Sequence, residues 1–107
     1  MAGIFTVGER RAGSFTSLEA ANKLINSTIS QNGPKVDGFS AGRFPHSLPV
    51  TYLFADFDSP TGYEAFAPND RVQPRIRTTY GVTVRLVRTD KSEKGYYVHS
   101  AWPTNRD

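Results

Sequence analysis

Cysteine is absent from the 107-residue chain. That excludes a disulfide framework and a thiolate metal site, so stability has to come from an apolar core. Long apolar runs are missing as well. None approaches the length of a membrane span, and the N-terminus has no secretory apolar stretch, so a water-soluble domain is expected. Histidine is scarce, with only His46 and His99. The acidic residues Asp56, Asp58 and Glu64 follow one another along a strand and turn, not in a converging ligand set. No phosphate-binding Gly loop, dinucleotide Gly motif, HExxH, EF-hand or nucleophile elbow occurs. Catalysis by a bound metal or a nucleotide cofactor therefore finds no motif, and neither a metal nor a cofactor is expected.

What is present fits one modest domain. Hydrophobic residues make up 37% of the chain and aromatic residues 12%, enough for a single core. The seven prolines and nine glycines imply many loops. The formal charge is +3, carried by nine arginines and four lysines. Arginine presents a planar fork suited to phosphate, which favours an anionic partner; the excess is small, and a solvated surface with a few extra arginines is an equal alternative.

Thr16-Ser17-Leu18-Glu19 reads as a capping box opening a helix. Leu18, Ala21, Leu24, Ile25, Thr28 and Ile29 recur at helical spacing, and Asn32-Gly33 ends the run. Pro34 marks the start of a short second helix. Ile4 to Val7 reads as a short strand and Phe44 to Pro49 as a loop holding an exposed His46. Val50 to Phe57 alternates as a strand, Asp58 to Gly62 as a turn, and Tyr63 to Phe66 resumes as a strand. Ala67 to Thr78 looks like a polar connector carrying Arg71, Arg75 and Arg77. Thr79 to Thr89 is the clearest strand, with Thr83, Arg85 and Val87 on one face. The charged loop Asp90 to Gly95 turns it into a final strand, Tyr96 to Pro103. Strict alternation there puts Tyr97, His99 and Ala101 on one face and Tyr96, Val98, Ser100 and Trp102 on the other. Helix first and strands after argue an α+β fold, with the helices packed on a curved antiparallel sheet.

An arginine-rich surface interleaved with tyrosines, beside a histidine and a hydroxyl, supplies the parts of a metal-independent ribonuclease. One group takes the proton of a 2′-hydroxyl, another serves the leaving oxygen, and a cation holds the charge of the phosphorane. A structural histidine with solvated arginines is the plainer reading of the same residues.

The blocks GSFTSLEAANKLINSTISQN (residues 13–32), DSPTGYEAF, RTTYGV (residues 77–82) and YYVHSAWPTN, in this order, resemble the RNase A-like C-terminal toxin domains of bacterial contact-dependent inhibition and related polymorphic toxin systems. The resemblance implies an RNase A-like α+β domain spanning residues 1–107 as one toxin-type unit; the abrupt start at Met1-Ala2-Gly3 reads as a trimmed N-terminus. It implies cleavage of RNA, often tRNA, without metal. It also implies delivery as the C-terminal part of an exported protein, action in the target-cell cytoplasm, a cognate immunity protein, and a monomer when free.

The family site resembles a histidine and an arginine near the N-terminus, with a threonine and a tyrosine two apart on the last strand before a proline. Here the last pair falls on Ser100 and Trp102, and the arginine on Arg10 or Arg11. The N-terminal histidine has no counterpart, because no histidine precedes His46. The expected catalytic set is thus Arg10 or Arg11 with His99 and Ser100, and the expected RNA-binding set is Arg75, Arg77, Tyr97 and Trp102. On strict alternation His99 and Ser100 point apart, so only a bulge or twist lets both reach one phosphate. Two other functions fit the same chain: a non-catalytic RNA- or partner-binding module, and a secreted structural module.

Overall fold

The computed structural model describes residues 10–42, 49–67, 69 and 71–106. Strand β1 (Arg10–Ser14) leads into helix α1 (Leu18–Gln31) and helix α2 (Gly33–Ser40). Strands β2 (Val50–Asp56), β3 (Gly62–Ala67), β4 (Arg75–Thr79), β5 (Gly81–Arg88) and β6 (Tyr96–Thr104) follow. All strand pairs are antiparallel and form two three-stranded sheets, ordered β1-β3-β4 and β2-β5-β6. Helices packed against antiparallel sheets make this an α+β fold, as expected.

The core lies between the helices and the inner face of the β2-β5-β6 sheet. Ile25 of α1 and Val36 and Phe39 of α2 pack on Leu53, Val82, Val84, Leu86 and Ala101. Each strand residue alternates with one that faces away, so one side of the sheet is closed by apolar contact and the other is left for chemistry. Asn32 fastens the end of α1 to this sheet, since its Nδ2 donates to Thr28 O at 2.8 Å and to Phe54 O at 3.1 Å.

The two sheets meet where Pro103 of β6 packs on β1 and β3. A Cβ at Gly62 would run into the Ser14 carbonyl and the Pro103 ring, so only glycine fits that approach. Beneath it, Thr61 Oγ1 shares a buried 2.8 Å hydrogen bond with Thr79 Oγ1 and donates to Gly81 O at 2.7 Å.

The structure revises several expectations. The capping residue is Ser17, one later than the capping box implied, with its Oγ accepting from the Ala20 N–H at 3.0 Å. Leu18 is 74% exposed and does not join the buried stripe of Ala21, Ile25 and Thr28. A strand, β1, precedes α1, where the sequence showed only a basic pair. Most consequentially, the single strand expected from Thr79 to Thr89 is divided, and the polar connector before it contains β4.

The chain changes sheets at Tyr80, whose N–H donates to Asn105 Oδ1 and whose carbonyl accepts from the Phe57 N–H. The Phe54 ring lies over Gly81, where a Cβ would come within 2.6 Å of it. The strand expected at Ile4 to Val7 and the loop residue His46 lie outside the described residues.

Candidate active site

The outer face of the β2-β5-β6 sheet collects the chemically useful side chains. Register places Tyr52, Arg85 and Ser100 in one row across the three strands, Phe54, Thr83 and Trp102 in the next, and Val50, Val87 and Tyr97 on the other side. These residues are half-buried or exposed. The Tyr52 and Trp102 rings meet edge to face with centroids 6.4 Å apart. At the far end Asp56 receives two hydrogen bonds from Arg106, at 3.1 and 2.8 Å, and Arg106 lies 4.3 Å over the Phe54 ring. The acidic side chain of this face is thus already neutralised by a cation.

Strict alternation failed at His99. β5 and β6 pair regularly from Arg88–Tyr96 to Leu86–Val98, then shift so that Arg85 faces Ser100. His99 is the extra residue of a β-bulge. Beyond it Ala101 and Pro103 face inward with Val98 and Tyr96, while Tyr97, His99, Ser100 and Trp102 share the outer face. The expectation that His99 and Ser100 point apart is therefore corrected, because the bulge turns both toward Arg85.

The geometry that results is compact. Arg85 Nη1 lies 2.8 Å from His99 Nδ1 and 3.3 Å from Nε2, and His99 Nδ1 lies 3.4 Å from Ser100 Oγ. Lying this close to both ring nitrogens, the guanidinium nitrogen sits over the imidazole, and the guanidinium brings donors only. Arg85 Nε is buried and has no hydrogen-bond partner. Such an orphaned donor costs about 1–3 kcal/mol until something accepts from it. The cluster is a guanidinium with spare hydrogen-bonding capacity, an imidazole and a hydroxyl on one exposed sheet face, flanked by stacking rings.

The remaining expected site residues are elsewhere. Arg75 and Arg77 sit on β4, an edge strand of the other sheet. Arg75 is exposed, whereas Arg77 Nε donates to the buried Glu64 carboxylate at 2.7 Å and its guanidinium lies 4.0 Å over the Phe66 ring. Arg77 is thereby tied to the interior of its own sheet. The backbones of Arg10 and Arg11 pair with Ala67 and Phe66 of β3, and their side chains lie outside the described part of the structure.

Arg85 and Tyr52, which lie on this face, were not among the expected site residues. Alternation had put Arg85 on one face with Thr83 and Val87, but its partners follow only from the register across the β5-β6 hairpin. Among the described residues, no three His, Cys, Asp or Glu side chains are grouped to hold a metal ion, and no helix is long and apolar enough to cross a membrane.

Comparison with known proteins bears on what such a face does. A family model for the bacterial CdiA-CT RNAse A domain matches residues 6–103. Among solved structures, the CdiA-CT/CdiI complex from Y. kristensenii superposes with a TM-score of 0.71 at 18% sequence identity, covering 92% of this chain and 80% of that one. At that identity the likeness concerns the fold. No curated protein matches the chain.

Proposed function

Because the chain belongs to the bacterial CdiA-CT RNAse A domain family, we propose that its outer sheet face cleaves RNA by transphosphorylation, with side chains alone. The observation that carries this reading is the bulge at His99, which brings its imidazole within 2.8 Å of the Arg85 guanidinium and 3.4 Å of the Ser100 hydroxyl.

In the proposed reaction the 2′-oxygen attacks phosphorus and the bond to the 5′-oxygen breaks. The 2′-hydroxyl proton passes to His99, and the departing 5′-oxygen takes a proton from water. Arg85 and the Ser100 hydroxyl donate to the phosphorane oxygens, joined by Arg10 or Arg11 from β1. Trp102, Tyr97 and Tyr52 offer faces on which bases stack, and the exposed Arg75 holds backbone further along the strand. The products are a 2′,3′-cyclic phosphate and a 5′-hydroxyl, with tRNA a natural substrate.

The same reading makes this domain the C-terminal part of an exported protein that acts in the cytoplasm of a competing cell. The family resemblance and the solved complex support a cognate immunity protein as its partner. Expression in a host without that partner is expected to stop growth, and purified protein in EDTA to degrade tRNA. Unhindered growth together with intact RNA would contradict the reading.

One observation favours a second reading, a non-catalytic RNA-binding module: the histidine that the family carries near its N-terminus has no counterpart here. That module would bind RNA with a marked salt dependence and leave it whole.

A further inference from the structure

We propose that the open edge of β4 is where the cognate immunity protein adds a strand of its own, one bearing carboxylates, to the β1-β3-β4 sheet. The inference rests on the reading that gives this domain an immunity partner, and not on the ribonuclease chemistry.

The edge follows from how the chain changes sheets. β6 pairs with β5 as far as Thr104 and Gly81. The next residue, Asn105, turns its side chain onto the preceding stretch, accepting from the Tyr80 N–H at 2.9 Å and donating to the Thr78 carbonyl at 3.2 Å. There the pairing of β6 ends. Beyond it β4 is bonded to β3 on one side and, among the described residues, to no strand on the other. The Thr78 carbonyl points to that open side. Backbone groups alternate along a strand, so Ile76 turns its N–H and carbonyl the same way.

The other edges are blunted. On β2, Lys35 Nζ donates to the Tyr52 carbonyl at 2.7 Å and Asn32 Nδ2 to the Phe54 carbonyl at 3.1 Å. β6 carries the bulge at His99 and a proline at 103, and β1 lies against Pro103. Covering groups, bulges and prolines are what keep a sheet edge from pairing with another chain. From Arg75 to Arg77, β4 has neither bulge nor proline, and Ile76 is 72% exposed.

What this edge does carry is arginine, and that decides the occupant. A second copy laid antiparallel on β4 would set Arg75 against Arg77, or Arg77 against itself, in the registers centred on Ile76 and Arg77. Like charges directly opposite are destabilising. RNA has no alternating N–H and C=O groups with which to continue the ladder, and Val72 and Ile76 offer it neither charge nor a stacking ring. A protein strand with carboxylates toward Arg71 and Arg75 meets both requirements. A cavity of about 390 Å³ beside the edge, lined by Phe66, Val72, Arg75 and Ile76, receives its alternate side chains. A strand seated there also covers Arg75 and so withholds it from RNA backbone.

The test takes the full chain and its cognate immunity protein. In hydrogen exchange the Ile76 amide should exchange fast in the free domain and about 10²-fold more slowly in the complex. Strand addition draws its affinity from main-chain bonds, so Ile76→Pro should weaken the complex by about 10²-fold, whereas Ile76→Ala should stay within about tenfold. The ladder to β3 survives the proline because the N–H it removes faces away from β3. Ile76→Glu, which leaves the backbone alone and sets a carboxylate among carboxylates, should weaken the complex by about tenfold or more, with the urea midpoint unchanged.

Equal losses for Ile76→Ala and Ile76→Pro would make the edge an apolar patch and overturn strand addition. An Ile76 amide that exchanges as fast in the complex as outside it would place the immunity protein elsewhere. No complex at all would end the immunity reading and the inference with it. If the complex forms through Ile76 while the parent domain leaves RNA intact, the inference stands and the ribonuclease reading falls.

Discussion

Removing the His99 imidazole separates chemistry from folding. His99 is the inserted residue of a bulge and its side chain is exposed. Its recorded contacts are with Arg85 and Ser100 at the surface. His99→Ala therefore opens no cavity and breaks no buried network, and the change in stability should stay within about 0.5 kcal/mol. Loss of a positioned proton acceptor costs about 10²–10⁴ in rate. At 1.36 kcal/mol per decade that is about 2.7–5.4 kcal/mol of barrier. Single-turnover cleavage of an end-labelled RNA, with thermal unfolding of the same preparation, reads both quantities. His99→Gln is a useful companion, since its amide keeps a polar side chain beside Arg85 but is no base, and it should be as slow as the alanine variant. A variant with unchanged Tm and a rate within tenfold of the parent would remove His99 from the mechanism.

Three further outcomes follow from the geometry. Arg77→Ala weakens the hold on the buried Glu64 carboxylate and should cost about 3 kcal/mol in urea unfolding, whereas Arg75→Ala should leave the midpoint alone and weaken RNA binding. Equal effects of the two on RNA affinity, with no change in stability, would refute that division. Gly62→Ala drives a methyl against the Ser14 carbonyl and Pro103, and should destabilise by about 1–3 kcal/mol; a neutral result would mean the sheet junction is looser than described. Binding of a single-stranded oligonucleotide should weaken with salt, and Arg85→Ala should lower the log–log slope by about 0.7, the share of one phosphate contact. An unaltered slope would place the phosphate elsewhere.

Much of the fold was legible because local signals carried it. The periodicity from Ala21 to Thr28, the Asn32-Gly33-Pro34 break and the alternation of β2 and β5 each follow from short-range chemistry. The division at Tyr80 was not legible, because alternation runs unbroken through Arg77 to Val87 while the backbone changes partners, and hydrogen bonds to Asn105 and Phe57 decide that.

The bulge left a faint trace. The inward residues Tyr96 and Val98 are followed by Ala101 and Pro103, a phase slip of one residue, but alanine beside serine is too weak a contrast to reveal it. Arg85 escaped because a residue's face can be read from its own strand, whereas its neighbours require the register of another. Arg77 looked like a solvated cation only because its partner, Glu64, is distant in sequence and becomes buried on folding.

Metal-free transphosphorylation at the β6 bulge is tested most directly with a DNA strand containing a single ribonucleotide, incubated with the protein in EDTA. Scission should occur only after the ribose, leaving a 2′,3′-cyclic phosphate on one fragment and a 5′-hydroxyl on the other, and His99→Ala should abolish it. Cutting at deoxynucleotides, a 5′-phosphate product, or a strand left whole by protein that still arrests growth would contradict it.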